Sequence, residues 1–270
     1  MGTFLSRFNT KPAPGLQAAR ADQIMFWEVK AVKLTTGSVW TPGDPRLRPA
    51  YAVTEAAHYL RLPVATLRSW VAGRTYPVSG QKRRSKPVIH LDDPKRRFLS
   101  FLNLVEAHVL AAIRRRYGVQ LPRIRRALDY VRREFHVERP LIDQVFQTDG
   151  LDLFVERYGE LINVSREGQQ VMKEIIGVYL QRIERDARGL PIKLYPFTRD
   201  TESGSAPRPD PRLVVISPSV SFGRPVIAGT GIPVSAIYER YKAGDSVEEL
   251  ARDFRLGTSA VEEAIRCEAA

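Results

Sequence analysis

Thr66, Arg68, Ser69 and Arg74 lie close together in the chain, and the run Lys82-Arg83-Arg84-Ser85-Lys86 follows soon after. Guanidinium forks and short hydroxyls suit the acceptors on base edges in a DNA major groove. A run of Lys and Arg suits phosphate oxygens, because each neutralised phosphate releases condensed counterions. Nothing comparable supports catalysis. His58, His90, His108 and His136 are scattered, and Cys267 is the single cysteine. No His/Cys pair has the spacing of metal ligands. No serine–histidine arrangement or cluster of carboxylates is present for acid–base work. The glycine-rich run from Phe222 to Val234 lacks the Gly-Lys-Ser/Thr ending of a phosphate loop and carries Pro233 instead. The expectation is a non-enzymatic protein with no catalytic residue, metal ligand or cofactor.

The charge of the chain is as informative as these residues. The net charge is +12, but between Arg61 and Arg139 there are 19 Lys and Arg against 6 Asp and Glu. The rest of the chain has 23 basic and 24 acidic residues. The basic character therefore belongs to one region, as a phosphate-contacting surface requires. From Leu213 to Ala270 the count is six basic against eight acidic residues, which disfavours nucleic acid and favours a protein partner. A length of 270 residues allows about two domains. No apolar run is long enough to span a membrane, and the N-terminus has no apolar secretory core. One cysteine rules out a disulfide framework within the chain, so a cytoplasmic setting is expected.

Several elements could position these groups. Residues 1–49 read as an extension, with a short strand over Phe26–Val32. Val53, Ala56, Ala57 and Leu60 share a helical stripe, with Thr54 as the expected N-cap. Pro63 opens a second short helix, and Gly73 ends it. Residues 74–97 read as a basic loop with an extended piece at Pro87–Leu91. Helices follow over Phe98–Tyr117 and from Pro122 to Phe135. Alternation at Leu151, Leu153 and Val155, with a turn at Arg157–Glu160, predicts a β-hairpin reaching Val164. A helix from Gly168 to Arg188 comes next, suited to core or dimer packing, and then an extended run from Leu190 to Phe197. Residues 199–212 read as a linker. Three helical patterns end the chain: Ser235–Lys242, Val247–Phe254 and Ser259–Cys267. The predicted fold is mainly α with small β elements. A winged helix-turn-helix region within 50–198, with hairpin and dimerisation helix, precedes a three-helix unit at 213–270.

Two motifs carry family resemblances. The run Tyr51-Ala-Val-Thr-Glu-Ala-Ala-His-Tyr-Leu60, with Pro63-Val-Ala-Thr-Leu-Arg-Ser-Trp70, resembles the opening of a MerR-type winged helix-turn-helix. That resemblance implies DNA binding by Thr66, Arg68, Ser69 and Arg74 on a recognition helix, with Lys82, Arg83, Arg84 and Lys86 on a wing. The C-terminal run matches at Gly223, Pro225, Ile227, Gly229, Thr230, Ile232, Pro233 and Val234. It resembles a domain of unknown function found in VapB-type antitoxins, and departs at Gly231, where many members carry Arg. The resemblance implies a type II antitoxin that binds its own promoter as a homodimer and neutralises a PIN-like ribonuclease toxin. Arg208, Arg212 and Arg224 are the candidate toxin contacts. A stand-alone MerR-like regulator with a C-terminal interaction domain stays open as the alternative.

Overall fold

The computed structural model describes residues 43–78, 80–94, 97–117, 121–199 and 211–269. All lie in one of the two units into which the chain divides, Pro42–Ala270. The strand expected at Phe26–Val32 and most of the expected linker lie outside them. The described residues are mainly helical, with three small antiparallel strand pairs.

Helix α1, Val53–Tyr59, and helix α2, Val64–Ala72, form the helix-turn-helix. Leu67, Trp70 and Val71 turn the inner face of α2 into the core, at the three- and four-residue spacing of an amphipathic helix. Ala52, not Thr54, is the N-cap of α1: Glu55 reaches back to accept from the Ala52 amide at 3.3 Å. Residues expected to be a basic loop instead form a hairpin. Strand β1, Thr75–Val78, pairs with β2, Gln81–Arg84, in the register Thr75↔Arg84 to Val78↔Gln81. Pro87–Leu91 is not a strand, because the Val88 and Ile89 amides both donate to the Trp70 carbonyl, at 2.8 and 3.1 Å.

Four longer helices build the middle of the molecule: α3, Phe101–Tyr117; α4, Leu121–Glu134; α5, Asp149–Ile162; and α6, Arg166–Leu180. The hairpin predicted over 151–164 is helix α5. Leu151, Phe154, Val155 and Tyr158 are buried at helical spacing, while Leu153 is only half-buried. Phe146 and Tyr158 flank Phe154 at ring distances of 5.6 and 5.3 Å, and this aromatic core outweighs the short alternation. Asp149 and Asp152 favour the helix start electrostatically, and Asn163, at φ 54°, ends it. Helix α6 stops at Leu180, short of the predicted Arg188. Strand β3, Ile183–Arg185, then pairs with β4, Pro191–Leu194, around a turn with Gly189 at φ 77°. This is the middle hairpin of the chain. The Asp186 carboxylate accepts from the Arg188 and Leu190 amides, each at 2.9 Å, and holds the turn. The apolar face of α6 is occupied within the chain: Ile175, Ile176 and Tyr179 are buried, and α6 packs against α3 and α5.

Strand β5, Val214–Val215, pairs with β6, Val226–Ile227, and leads to α7, Val234–Lys242; α8, Val247–Phe254; and α9, Thr258–Glu268. Val214, Ile227, Val234, Ile237, Leu250 and Val261 are among the residues of one apolar core. Ser246 and Glu249 cap α8 reciprocally, and Gly257 is the N-cap of α9 with no side-chain cap. The glycine–proline run folds as a tight turn. The Ile227 amide donates to the Ile232 carbonyl at 3.0 Å, and the Thr230 hydroxyl donates to the Ile227 carbonyl at 2.8 Å.

Distant parts of the chain meet at the helix-turn-helix. Arg61, in the turn between α1 and α2 at φ 50°, donates to the carbonyls of Phe197, Thr198 and Arg266 at 3.2, 2.6 and 2.7 Å. Thr198 donates to the buried carboxylate of Glu263 on α9. Tyr51, just ahead of α1, donates to the Gly223 carbonyl at 2.9 Å. Leu194 at the end of β4 bridges to Ile216 just after β5.

Candidate nucleic-acid interface

A helix that buries Leu67, Trp70 and Val71 must turn the opposite stripe outward. On α2 that outward stripe holds exposed Ala65, Arg68 and Ala72, with Ser69 half-buried beside them. Thr66 is also half-buried. The Ser69 hydroxyl donates to the Thr66 carbonyl at 2.7 Å, so its hydrogen is spent within the helix and the oxygen is left to act as an acceptor. Arg68 projects from the middle of a surface otherwise lined with small side chains, as close approach to base edges requires.

The wing is locked to the end of this helix. Gly73 has φ 74° and ψ 179°, a region open almost only to glycine. A Cβ there would lie 2.1 Å from the Ser85 carbonyl oxygen. The Ser85 amide donates to the Arg74 carbonyl at 2.8 Å, and its hydroxyl accepts from the Arg74 amide at 2.9 Å. Arg84 donates to the Ala72 carbonyl at 3.1 Å. Lys82, Arg83, Arg84 and Lys86 are exposed, as is Arg74 at the base of the hairpin. The alternation of β2 sends Lys82 and Arg84 to one face and Arg83 to the other, opposite Tyr76 on β1. Among the described residues, none of Arg68, Arg74, Lys82, Arg83 and Lys86 has an ion-pair partner. These charges are therefore available to an external anion.

Helix α4, within the basic region 61–139, extends this surface, although none of its arginines is among the residues named above as DNA contacts. Arg126 and Arg133 are exposed, and Arg123 and Tyr130 are half-buried. Their i, i+3, i+7, i+10 spacing is the signal that marks one helix face. Arg125, on the same helix, donates to the Lys86 carbonyl at the end of the wing. His90 reports the field here. Desolvation first, and then Arg132, Arg139 and Arg125, hold it below the usual histidine range.

A buried polar knot fixes the loop between wing and α3. Asn103 donates to the His90 carbonyl at 2.9 Å and to Glu106 at 3.0 Å. Ser100 donates to Asp92 at 2.5 Å, and Arg139 reaches both Asp92 and Glu106. Burial raises the Glu106 pKa, opposed by Arg139 and by the Asn103 hydrogen bond. The basic wing is thus carried on a rigid base.

The second group of sequence-assigned residues lies elsewhere. Arg224 is exposed beside the glycine–proline turn, and Arg212 is exposed ahead of β5, with its guanidinium 5.7 Å from the Tyr195 ring. Arg208 lies outside the described residues. Gly223 and Gly229 have φ values of 83° and 79°, while Gly231 has no such backbone requirement and nothing within 4 Å of a Cβ position. Pro225 is buried, and its carbonyl accepts from the Val234 amide at 3.1 Å; Pro233 bridges to Val226.

Residues 49–128 match the family described as "Putative DNA-binding HTH domain", and residues 214–266 match "Protein of unknown function (DUF433)". Over 224 residues the chain is 33% identical to "Putative antitoxin VapB45" of Mycobacterium tuberculosis, an alignment covering 76% of this chain and 88% of that one. The crystal structure of Rv2018 from Mycobacterium tuberculosis is similar with a TM-score of 0.56 and 25% identity, covering 81% of this chain and 98% of that chain. Among the described residues no helix is long and apolar enough to cross a membrane, and no cluster of three His, Cys, Asp or Glu side chains could hold a metal ion.

Proposed function

Because this chain belongs to the VapB-type antitoxin family, we propose that it is the antitoxin of a type II pair, acting in the cytoplasm without enzymatic activity of its own. It binds DNA of its own operon's promoter and neutralises a PIN-like ribonuclease toxin. The observation that carries the DNA half is the joined surface of α2 and wing. There Arg68, Arg74, Lys82 and Arg83 face outward without ion-pair partners among the described residues. Arg68 reads a base edge, while the wing cations hold phosphates and set the register. A homodimer would present two such surfaces to paired half-sites.

The toxin half of the proposal rests on the family and on the charge of the C-terminal unit. With six basic and eight acidic residues from Leu213 onward, that unit suits a protein partner better than phosphate. Arg212 and Arg224 are the described candidates for contacts with an acidic nuclease site. Two measurements test the proposal. The full chain should shift DNA from upstream of its own gene, with affinity falling steeply as salt rises. It should also co-purify with the product of the adjacent gene and restore growth when that product is toxic. Absence of both the complex and the rescue would overturn the antitoxin reading.

A further inference from the structure

The backbone just ahead of the glycine–proline turn is held in an unusual conformation. Ser221, Phe222 and Gly223 have successive φ values of 46°, 56° and 83°. Two of these are not glycine, and a left-handed backbone is unfavourable for side chains bearing a Cβ. The strain does not serve packing, because Phe222 is 96% exposed. A scattered exposed aromatic needs no explanation, but one held outward on a strained backbone does. The loop is stapled from both sides. The Ser221 hydroxyl donates to the Gly231 carbonyl at 3.1 Å, and Tyr51 donates to the Gly223 carbonyl. A Cβ on Gly223 would lie 2.4 Å from the Tyr51 oxygen. Phe222 is therefore presented on a fixed platform.

Gly229 and Gly231 border this platform, and both are exposed with nothing within 4 Å of a Cβ position. Gly229 requires its positive φ. Gly231 needs neither conformational freedom nor internal room. Its bare backbone leaves space for close approach from outside. Arg224, two residues after Phe222, is exposed and has no ion-pair partner among the described residues.

We infer that Phe222, with Arg224 and the bare backbone at Gly231, is the anchor by which this chain docks a separate folded protein. That protein offers an apolar pocket for the ring and a carboxylate at its rim. The inference rests on the antitoxin reading above and identifies the partner as the toxin. Charge chooses among the occupants. The unit from Leu213 onward is net acidic, which disfavours nucleic acid. Leu213–Val234 contains no Asp or Glu, so a symmetric contact of this loop with a second copy would set Arg224 against Arg224. A carboxylate-bearing protein satisfies both the ring and the guanidinium.

The test is a titration of the full chain with the adjacent gene's product, using Phe222→Ala, Phe222→Leu and Gly231→Arg. An anchor aromatic predicts that Phe222→Ala weakens the complex about thirtyfold or more. Phe222→Leu should recover part of that loss. Gly231→Arg meets no neighbour within the chain and should weaken binding without changing thermal stability. Tight wild-type binding that Phe222→Ala leaves unaffected overturns the anchor and leaves the antitoxin reading standing. No wild-type binding overturns the antitoxin reading and the anchor with it. Loss of self-association or of DNA affinity in Phe222→Ala, with partner binding intact, also overturns the anchor.

Discussion

At the scale of single residues, exposure alone does not separate the candidate DNA contacts, and the element bearing each one does. Arg68 stands on the outward stripe of α2, whereas Lys82 and Arg83 stand on a two-stranded wing. Arg68→Ala should therefore cost about 1–3 kcal/mol on the preferred sequence and relax the choice of base. Lys82→Ala or Arg83→Ala should weaken all sequences evenly and lower the slope of log affinity against log salt by about one each. Binding isotherms on specific and random duplexes at several salt concentrations separate the two patterns. Gly73 makes a different demand. Its backbone angles exclude a side chain, and the Ser85 carbonyl fills the place of one. Gly73→Ala should cost at least about 2 kcal/mol of stability, measured by urea unfolding, and should reduce DNA affinity with the wing displaced.

At the scale of elements, the helices of the helix-turn-helix are legible from spacing, because Leu67, Trp70 and Val71 announce their buried face. The segment 151–164 is less so. Leu151, Leu153 and Val155 alternate as a strand does, but Leu151, Phe154, Val155 and Tyr158 also form a helical stripe. Packing around Phe154 decides between the periods, and no local pattern contains that information. The wing was legible as basic charge and through the family resemblance, but its strand pairing was not, since the β1–β2 pairing depends on where Gly73 and Ser85 meet. The loop joining the wing to α3 supplies a pH test. Burial raises the folded-state pKa of Glu106, so above about pH 4.5 the unfolded chain loses its proton first. The folded state then holds more protons, and this contribution to stability declines as pH rises toward the raised value. Glu106→Gln removes the decline. Its stability relative to wild type should increase with pH from about 4.5 and then level off, which denaturation at a series of pH values would read.

For the molecule as a whole, the seam between the helix-turn-helix and the C-terminal helices is the main structural finding. Arg61 gives its guanidinium to three carbonyls, two on the segment after β4 and one near the end of α9. Arg61→Ala leaves those acceptors short of charged donors and should lower stability by about 2 kcal/mol or more. If the seam is a cooperative contact, proteolysis of that variant should release the 214–266 region faster than in wild type. Unchanged stability and cleavage would show that the carbonyls find other partners.

The sequence alone determined the two kinds of surface this protein carries. Charge is a sum over residues, so the basic region 61–139 and the mildly acidic end were readable without coordinates. Short-range spacing likewise revealed α1, α2 and the glycine–proline turn, because helix period and glycine conformation are local properties. Only tertiary structure decided that Tyr51 meets Gly223, that Arg61 meets Arg266, and that Phe222 is left outside on a fixed loop. Those contacts join residues distant in sequence. Their geometry follows from how the buried faces pack, which no window along the chain contains.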